Sequence, residues 1–341
     1  MSLLQIKNFL KNKNIEIDVR KEAFFLSTFF LKPDKRKDLS INTNFSKFVE
    51  DDQVTEEKYS EIKLYREEFV EKYPDLQLGF LPFKRETLDR IMGLILDTSF
   101  WDIIFFGQEK KYDDLRNIIN YWISKAKIND KVTLGLIEAE KFLFSYPDLF
   151  SKFDSDINIY LGDKYLYYIF KFLYESNNKI SIYKIHNRGG PENYLEGIEL
   201  HDENYCWAFP ERSRKFSYED INEEFKSSRK EIIALGNILN SLGDNSILNI
   251  LLPVGFTFIN DTKYMRNNFI LDSKNINLKE VFALPKIKNY TSTNVCSLKF
   301  EKKQKEEKES IILGRLEKDN SSFKIIDKIE LDYDNEMLRT T

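Results

Sequence analysis

The sequence predicts an α/β protein in which a helical region precedes a largely parallel sheet. Near the start, apolar residues recur at helical spacing within a highly charged background. Further along, short apolar runs alternate with helix-like stretches, as they do in α/β sheets with right-handed crossovers. We therefore predict a helical domain over residues 1–78, an α/β domain over residues 79–300 and a C-terminal extension over residues 301–341.

The N-terminal region predicts two helices and a loop. Apolar residues recur at intervals of three and four over residues 3–10 and again over residues 56–73, where Pro74 ends the second helix. Residues 32–52 are mostly polar and rich in Asn, Asp and Ser, which is typical of a loop.

Seven short apolar runs predict the strands of the sheet, because they are rich in β-branched or aromatic residues and several are bounded by turn signals. They cover residues 103–106, 132–137, 157–161, 204–208, 247–252, 278–283 and 295–300. The link 284–294 suits an antiparallel pair better than a crossover helix, so we expect the last strand to be reversed.

Helices are predicted between these strands over residues 113–123, 139–150 and 221–242. Residues 311–316 and 323–331 predict a terminal hairpin, and the charged run 301–310 before them predicts a solvated turn or loop.

Charge and composition reduce the number of functional classes to which the chain could belong. The chain has 52 basic and 56 acidic residues, a net charge of −4, which argues against indiscriminate DNA binding. The apolar run 23–31 is too short to cross a bilayer, and Met1 is not followed by a secretory signal pattern. Cys206 and Cys296 cannot form a disulfide framework, so we expect a reducing, cytoplasmic setting.

The sequence gives little support for a metal site or a reactive site built from histidine and cysteine. His186, His201 and the two separated cysteines do not match a zinc pattern, so no metal is expected. Cys206 lies near His201 in sequence, which leaves two readings, a reactive thiol pair or an inert core cysteine.

The stretch 247–300 carries a more specific pattern. A strand is followed by a Pro-x-Gly segment and an Arg-bearing helix, and the next strand ends in Leu-Pro before a Thr-rich loop and a last strand. The residues at these positions are Pro253, Gly255, Phe256, Arg266, Leu284, Pro285, Thr291 and Thr293. This order resembles the S-adenosylmethionine-dependent N6-adenine DNA methyltransferases, most closely the modification subunit of type I restriction systems.

The resemblance implies a Rossmann-like methyltransferase fold with a seven-stranded mixed sheet, its last strand antiparallel, after an N-terminal helical domain. It also implies S-adenosylmethionine as cofactor, held by a glycine turn after the first strand in the pattern Asp-Pro-x-x-Gly-x-Gly. Residues 102–110 read DIIFFGQEK, so Gly107 remains and Glu109 stands where a small residue is expected. A carboxylate there would repel the cofactor carboxylate, and we expect binding to be weak or absent.

Two further residues are candidates for cofactor contact. Glu138 ends the predicted second strand, where an acidic residue binds ribose hydroxyls in this fold class, or it is a carboxylate favoured by a helix N-terminus. The resemblance gives Asp163, in the Leu-Gly-Asp after the third strand, a role in adenine binding. The alternative is that Asp163 caps the helix that begins at Lys164.

The catalytic position departs from the family. The family uses Asn/Asp-Pro-Pro-Tyr/Phe, in which the amide accepts hydrogen bonds from the adenine amine and the aromatic ring stacks the flipped base. Here Phe209 replaces the amide, Pro210 keeps the first proline, and Glu211 and Arg212 replace the rest of the motif. Because phenylalanine has no lone pair to offer, the known chemistry should fail.

A basic cluster follows in the same loop. Arg212 could stack a base, and Arg212, Arg214 and Lys215 could together contact DNA or a partner, or form a solvated surface. The leading hypothesis is a pseudoenzyme: a methyltransferase-like chain that acts as a binding or assembly subunit with a protein partner or as a homo-oligomer, and binds DNA weakly alone. The alternatives are an active DNA adenine methyltransferase with a divergent catalytic loop, or a methyltransferase for another small molecule or peptide.

Overall fold

The structure is a computed structural model. It describes residues 2–31, 43–47, 49, 53–104, 106, 115–126, 132–145, 149, 153–175, 177–185, 198–210, 221–259, 262–287, 294–304 and 310–332. The chain divides into two units. The helical unit comprises Met1–Glu109 with Asp163–Asn178, and the sheet unit comprises Lys110–Gly162 with Lys179–Thr341. The predicted boundaries at residues 78 and 300 stay predictions.

The described residues contain nine α-helices. They are α1 (Ser2–Asn12), α2 (Val19–Phe30), α3 (Glu56–Lys72), α4 (Arg85–Ile95), α5 (Phe100–Ile104), α6 (Leu115–Lys125), α7 (Glu140–Ser145), α8 (Lys164–Tyr174) and α9 (Lys230–Ser241). A π-helix spans Met265–Leu271. Among these residues, no helix combines the length and the apolar composition that crossing a bilayer requires.

The helical unit has an aromatic core around α2. Asp18 caps α2 by accepting a hydrogen bond from the Arg20 amide at 3.0 Å. Phe24 and Phe25 of α2 are fully buried and make edge-to-face contacts with Phe69 of α3, with ring centroids 5.9 and 5.2 Å apart.

The helical unit also contains a buried ion pair. Ile62, Arg66 and Phe69 share one face of α3 because they are four and three residues apart. Arg66 lies at the centre of this face and forms a bidentate pair with Glu22 of α2, with distances of 2.7 and 2.8 Å.

The sheet unit holds one sheet of nine strands within the described residues. They are β1 (Thr133–Ile137), β2 (Asp156–Leu161), β3 (Ile180–Lys184), β4 (Tyr205–Ala208), β5 (Ile247–Pro253), β6 (Ile276–Ala283), β7 (Val295–Lys302), β8 (Ser310–Asp319) and β9 (Ser322–Asp332). Their order is β3-β2-β1-β4-β5-β7-β6-β8-β9, and the first five run parallel.

The second half of the sheet is mixed. β7 lies between β5 and β6 and is antiparallel to both, which confirms the predicted reversed strand. β8 pairs parallel with β6, and β8 and β9 form the predicted hairpin. Apolar residues of α9, β5 and β7, including Ile233, Leu248 and Leu298, belong to one buried cluster. This hydrophobic core holds the crossover helix against the sheet.

The predicted fold class is confirmed, but the strand count of seven is wrong. The hairpin β8–β9 extends the sheet, and β3 was missed because its five residues are half-buried or exposed rather than a buried apolar run. The helix predicted over 221–242 begins at Lys230, and the one predicted over 139–150 ends at Ser145.

The strand predicted at residues 103–106 is wrong, because the chain forms helix α5 there. Ser99 and Asp102 make a reciprocal capping box: the Ser99 amide donates to the Asp102 carboxylate at 2.8 Å, and the Asp102 amide donates to Ser99 Oγ at 3.2 Å. Phe100 and Ile103, three residues apart, are both fully buried on one helix face. The first strand of the sheet is therefore β1, at residues 133–137.

Candidate functional site

The strand order reverses direction between β1 and β4. From β1 the chain builds β2 and β3 on one side, and from β4 it builds β5 on the other. Ligands of open α/β sheets bind outside the carboxyl ends of the strands at such a switch point. Ile137 and Ala208 are paired at these two carboxyl ends. The candidate site therefore consists of the residues that directly follow β1 and β4.

The turn after β1 is short and has no glycine. Glu138 has a φ of 53°, in the left-handed region that glycine occupies most readily. The Ala139 amide donates to the Tyr160 carbonyl of β2 at 3.1 Å, and α7 begins at the next residue, Glu140. Glu140 in turn accepts a hydrogen bond from the Gly162 amide at 2.9 Å. The end of β1 is thus tied tightly to the end of β2.

Lys141 of α7 joins the end of β1 to the end of β4. Its Nζ lies 3.2 Å from Glu138 Oε2, and it also donates a hydrogen bond to the Phe209 carbonyl oxygen. Glu138 is 6% exposed, so this ion pair is largely removed from water. The ammonium group therefore occupies the switch point, with one partner on each side.

The ring of Phe209 belongs to the hydrophobic core. It is fully buried and stacks on Phe142 of α7 with centroids 4.1 Å apart and planes 10° apart. Trp122 of α6 lies 5.2 Å from the same ring. Stacking of aromatic rings adds to the free energy gained by burial, so the ring is fixed within the core. The backbone carbonyl of Phe209 is the group that faces Lys141.

A buried carboxylate lies beside β1. Glu203 is 2% exposed and accepts hydrogen bonds from Asn158 Nδ2 at 2.8 Å and from the Tyr160 hydroxyl. Gly135 is required here, because a Cβ at that position would lie 2.8 Å from Glu203 Cγ.

Cys206 of β4 is also fully buried. Burial, with a further contribution from the Glu203 charge, raises the pKa of the Cys206 thiol well above its usual range. A thiol in this environment is protonated and unreactive, so the inert-core interpretation of Cys206 holds.

The structure describes four of the predicted site positions, which are Glu138, Asp163, Phe209 and Pro210, and adds one partner. Glu138 follows the first strand of the sheet, not the second, and Phe209 follows β4, where the catalytic motif was predicted. Lys141 brings these two residues together, and sequence reasoning missed it. The spacing of Glu138 and Lys141 indicates an ion pair at a helix start, but no local pattern reports its contact with residue 209.

Asp163 acts as a helix cap. It precedes α8, and its Oδ1 accepts hydrogen bonds from the amides of Tyr165 at 2.8 Å and Leu166 at 3.0 Å. It follows the second strand of the sheet rather than the third. The remaining candidates lie outside the described residues: Gly107, Glu211, Arg212, Arg214 and Lys215, together with Thr291 and Thr293 of the resemblance.

Comparison with known proteins agrees with this architecture. No protein-family model matches the chain, and no curated protein matches it. Among solved structures, the type I restriction-modification methyltransferase subunit from Streptococcus thermophilus is similar over 96% of this chain and 89% of its own, with a TM-score of 0.53 at 14% identity.

Two other solved structures are similar. A chain from a study of assembly and conformational transition in the type I restriction-modification system matches 88% of this chain and 71% of its own, with a TM-score of 0.51 at 11% identity. A protein described as the modification subunit of a type I restriction enzyme from Vibrio vulnificus YJ016 matches 72% of this chain, with a TM-score of 0.48 at 12% identity; this chain spans 55% of that subunit. At these identities, the likeness to the two structures with TM-scores above 0.5 establishes the fold alone, which this chain shares with them.

Proposed function

We propose that this chain is a methyltransferase-fold subunit of the type I modification kind that has lost methyl transfer and acts by binding. The observation that carries the proposal is Phe209 at the end of β4, with its ring stacked in the core and its carbonyl oxygen engaged by Lys141. A protein partner is the expected ligand, and DNA is expected to bind weakly to the chain alone because its net charge is −4.

The position that would bind the adenine amine lacks the side-chain hydrogen-bond acceptor that methylation needs. Methylation of an adenine amine needs hydrogen-bond acceptors for that amine, a side-chain amide oxygen and a backbone carbonyl. Phe209 supplies no side-chain acceptor. Its carbonyl already accepts a charge-assisted hydrogen bond from Lys141, so an incoming amine would have to share this oxygen with an ammonium group.

The donor side does not fit S-adenosylmethionine held in the family manner. The turn after β1 has no glycine to allow close approach of the cofactor backbone, and it places two carboxylates, Glu138 and Glu140, at this edge. The remaining candidates for a ribose or adenine contact, Glu138 and Asp163, already bind Lys141 and the first amides of α8. We therefore expect cofactor binding to be weak or absent.

The basic loop residues Arg212, Arg214 and Lys215 are the proposed partner or nucleic-acid contact. A protein partner with an acidic surface would suit them. Cys206 and Cys296 are both buried and form no disulfide, and we propose the reducing cytoplasm as the setting of the protein.

Isothermal titration calorimetry with S-adenosylmethionine tests the cofactor half of the proposal. We expect no heat of binding at millimolar donor, and no transfer of labelled methyl groups to adenine-containing duplex DNA. Binding at micromolar affinity together with transfer would overturn the proposal and favour an active adenine methyltransferase with a divergent loop.

If calorimetry does detect binding of S-adenosylmethionine, matched variants show where the donor binds. Lys141→Met would alter donor affinity if the donor enters the switch point, whereas Lys7→Met, on the exposed face of α1, would not.

Gel shifts on duplex DNA across a range of salt concentrations test the second half of the proposal, which concerns DNA binding. Weak binding is expected, and tight binding with a steep salt dependence would contradict it.

A further inference from the structure

The sheet unit contains an apolar cavity that the switch point does not use. It lies among the π-helix, β6, β8 and β9 and has a volume of about 160 Å³. Its walls include Phe256, Ile270, Leu278, Ile311 and Leu313, and its charged lining residue is Arg266. The cavity thus combines a mainly apolar surface with a guanidinium group.

Arg266 is incompletely satisfied by the protein. It is 8% exposed, and its Nη1 donates to the Phe256 carbonyl at 2.8 Å, to the Ile259 carbonyl at 3.0 Å and to Thr262 Oγ1 at 2.6 Å. Its Nε is buried and has no hydrogen-bond partner among the described residues. One nitrogen therefore makes all three of these hydrogen bonds, and the buried Nε is a donor without an acceptor among the described residues.

A buried donor without an acceptor is costly, and a cation without a counter-charge is more so. Burial lowers the pKa of Arg266, as expected for a guanidinium group that is largely removed from water. The Nε and Nη2 edge of arginine matches the two oxygens of a carboxylate in geometry and charge. A polyanion such as a phosphate ester would bring more charge than a single guanidinium group can balance.

We infer that this cavity binds a small monocarboxylate with an apolar body, its carboxylate paired with the guanidinium group of Arg266 and its body against the apolar walls. The volume sets the size of the ligand, because an apolar cavity of about 150 Å³ accommodates benzene. A benzoate-sized acid therefore fits. Arg266 lies in a π-helix, a rare conformation that often occurs at functional sites.

Calorimetry with benzoate and its neutral isostere benzamide tests the inference on the full chain. Both molecules have nearly the same shape, so their difference reports the interaction with the charge of Arg266. We expect benzoate to bind at least about tenfold more tightly than benzamide, since hydrogen bonds between charged groups are the stronger ones. Equal affinities, or no binding of benzoate at 10 mM or below, would overturn the inference.

Two variants place the ligand in the cavity. Arg266→Met should reduce benzoate affinity to that of benzamide, but it also removes three internal hydrogen bonds and could prevent folding. Leu313→Trp keeps Arg266 and fills the cavity, so it should abolish binding of both molecules. Ile326→Trp is its control, because Ile326 is 48% exposed on β9 and does not line the cavity. If Leu313→Trp binds benzoate as the wild type does, the cavity is not the site.

Discussion

Two arginines are buried in the described part of the chain, and their surroundings differ. Arg66, in the helical unit, donates through Nη1 and Nη2 to Glu22 and through Nε to the Gly79 carbonyl at 2.8 Å. Its guanidinium group also lies 4.7 Å from the centre of the Phe25 ring. Arg266, in the sheet unit, uses Nη1 for three neutral acceptors and leaves Nε without a partner among the described residues.

Arg66 is a structural cation, whereas Arg266 has remaining capacity to bind an acceptor. Arg66 has an anion, a carbonyl and an aromatic face as partners, so its charge is balanced within the helical unit. Arg266 is anchored by neutral groups, and it forms no ion pair with any of the described residues. A buried group that the protein leaves unsatisfied is the kind for which a ligand gains the most free energy.

The largest expected effect is on Arg66. Arg66→Met should lower the free energy of unfolding of the helical unit by about 3–5 kcal/mol, because it leaves the Glu22 charge buried and unpaired. Urea denaturation followed by circular dichroism measures it. The double variant Arg66→Met with Glu22→Met removes both charges and should be less destabilised than the single variant. If the loss in the double variant equals the sum of the losses in Arg66→Met and Glu22→Met, the two side chains are not coupled. The contrast between Arg66 and Arg266 would then fail.

A smaller loss is expected at Arg266. Arg266→Met removes hydrogen bonds to three acceptors but leaves no unpaired anion, so the free energy of unfolding should fall by roughly 1–3 kcal/mol. Lys263→Met, on the exposed side of the same segment, is the control and should change stability little. A loss at Arg266 as large as that at Arg66 would mean that Arg266 has a counter-charge in the folded protein.

The smallest expected effect comes from supplying Arg266 with an acid. Leu313 lines the cavity, and Leu313→Glu would place a carboxylate there. We expect Leu313→Glu to be more stable than the neutral Leu313→Gln by about 1 kcal/mol, since a hydrogen bond to a charged group exceeds a neutral one. Thermal unfolding at neutral pH compares the two. The reverse order would show that the guanidinium group of Arg266 does not accept a carboxylate in this cavity.

Strands with strong local patterns were predictable from sequence. The runs that became β5 and β7 are buried along most of their length, so their apolar composition reports their environment directly. The run at 103–106 misled because four apolar residues fit a buried strand and a buried helix equally well. The deciding signal was the Ser99 and Asp102 capping box just before it.

The candidate site was predicted in part. The position of Phe209 at the end of β4 followed from the order of the elements, and its replacement of an amide was visible in the sequence. The hydrogen bond from Lys141 to the Phe209 carbonyl was not visible in the sequence, because it joins residues 68 positions apart. Sequence periodicity reports which residues share a face of one element, whereas it contains no information about which two elements meet.

The sequence by itself determined the alternation of helices and strands, the reversed strand β7 and the hairpin β8–β9, since each depends on residues close together in the chain. The tertiary structure alone decided that the ring of Phe209 stacks on Phe142, that Lys141 occupies the switch point, and that Arg266 lines an apolar cavity while its Nε has no hydrogen-bond partner among the described residues. These features depend on distances between separate elements, and packing sets those distances only when the core forms.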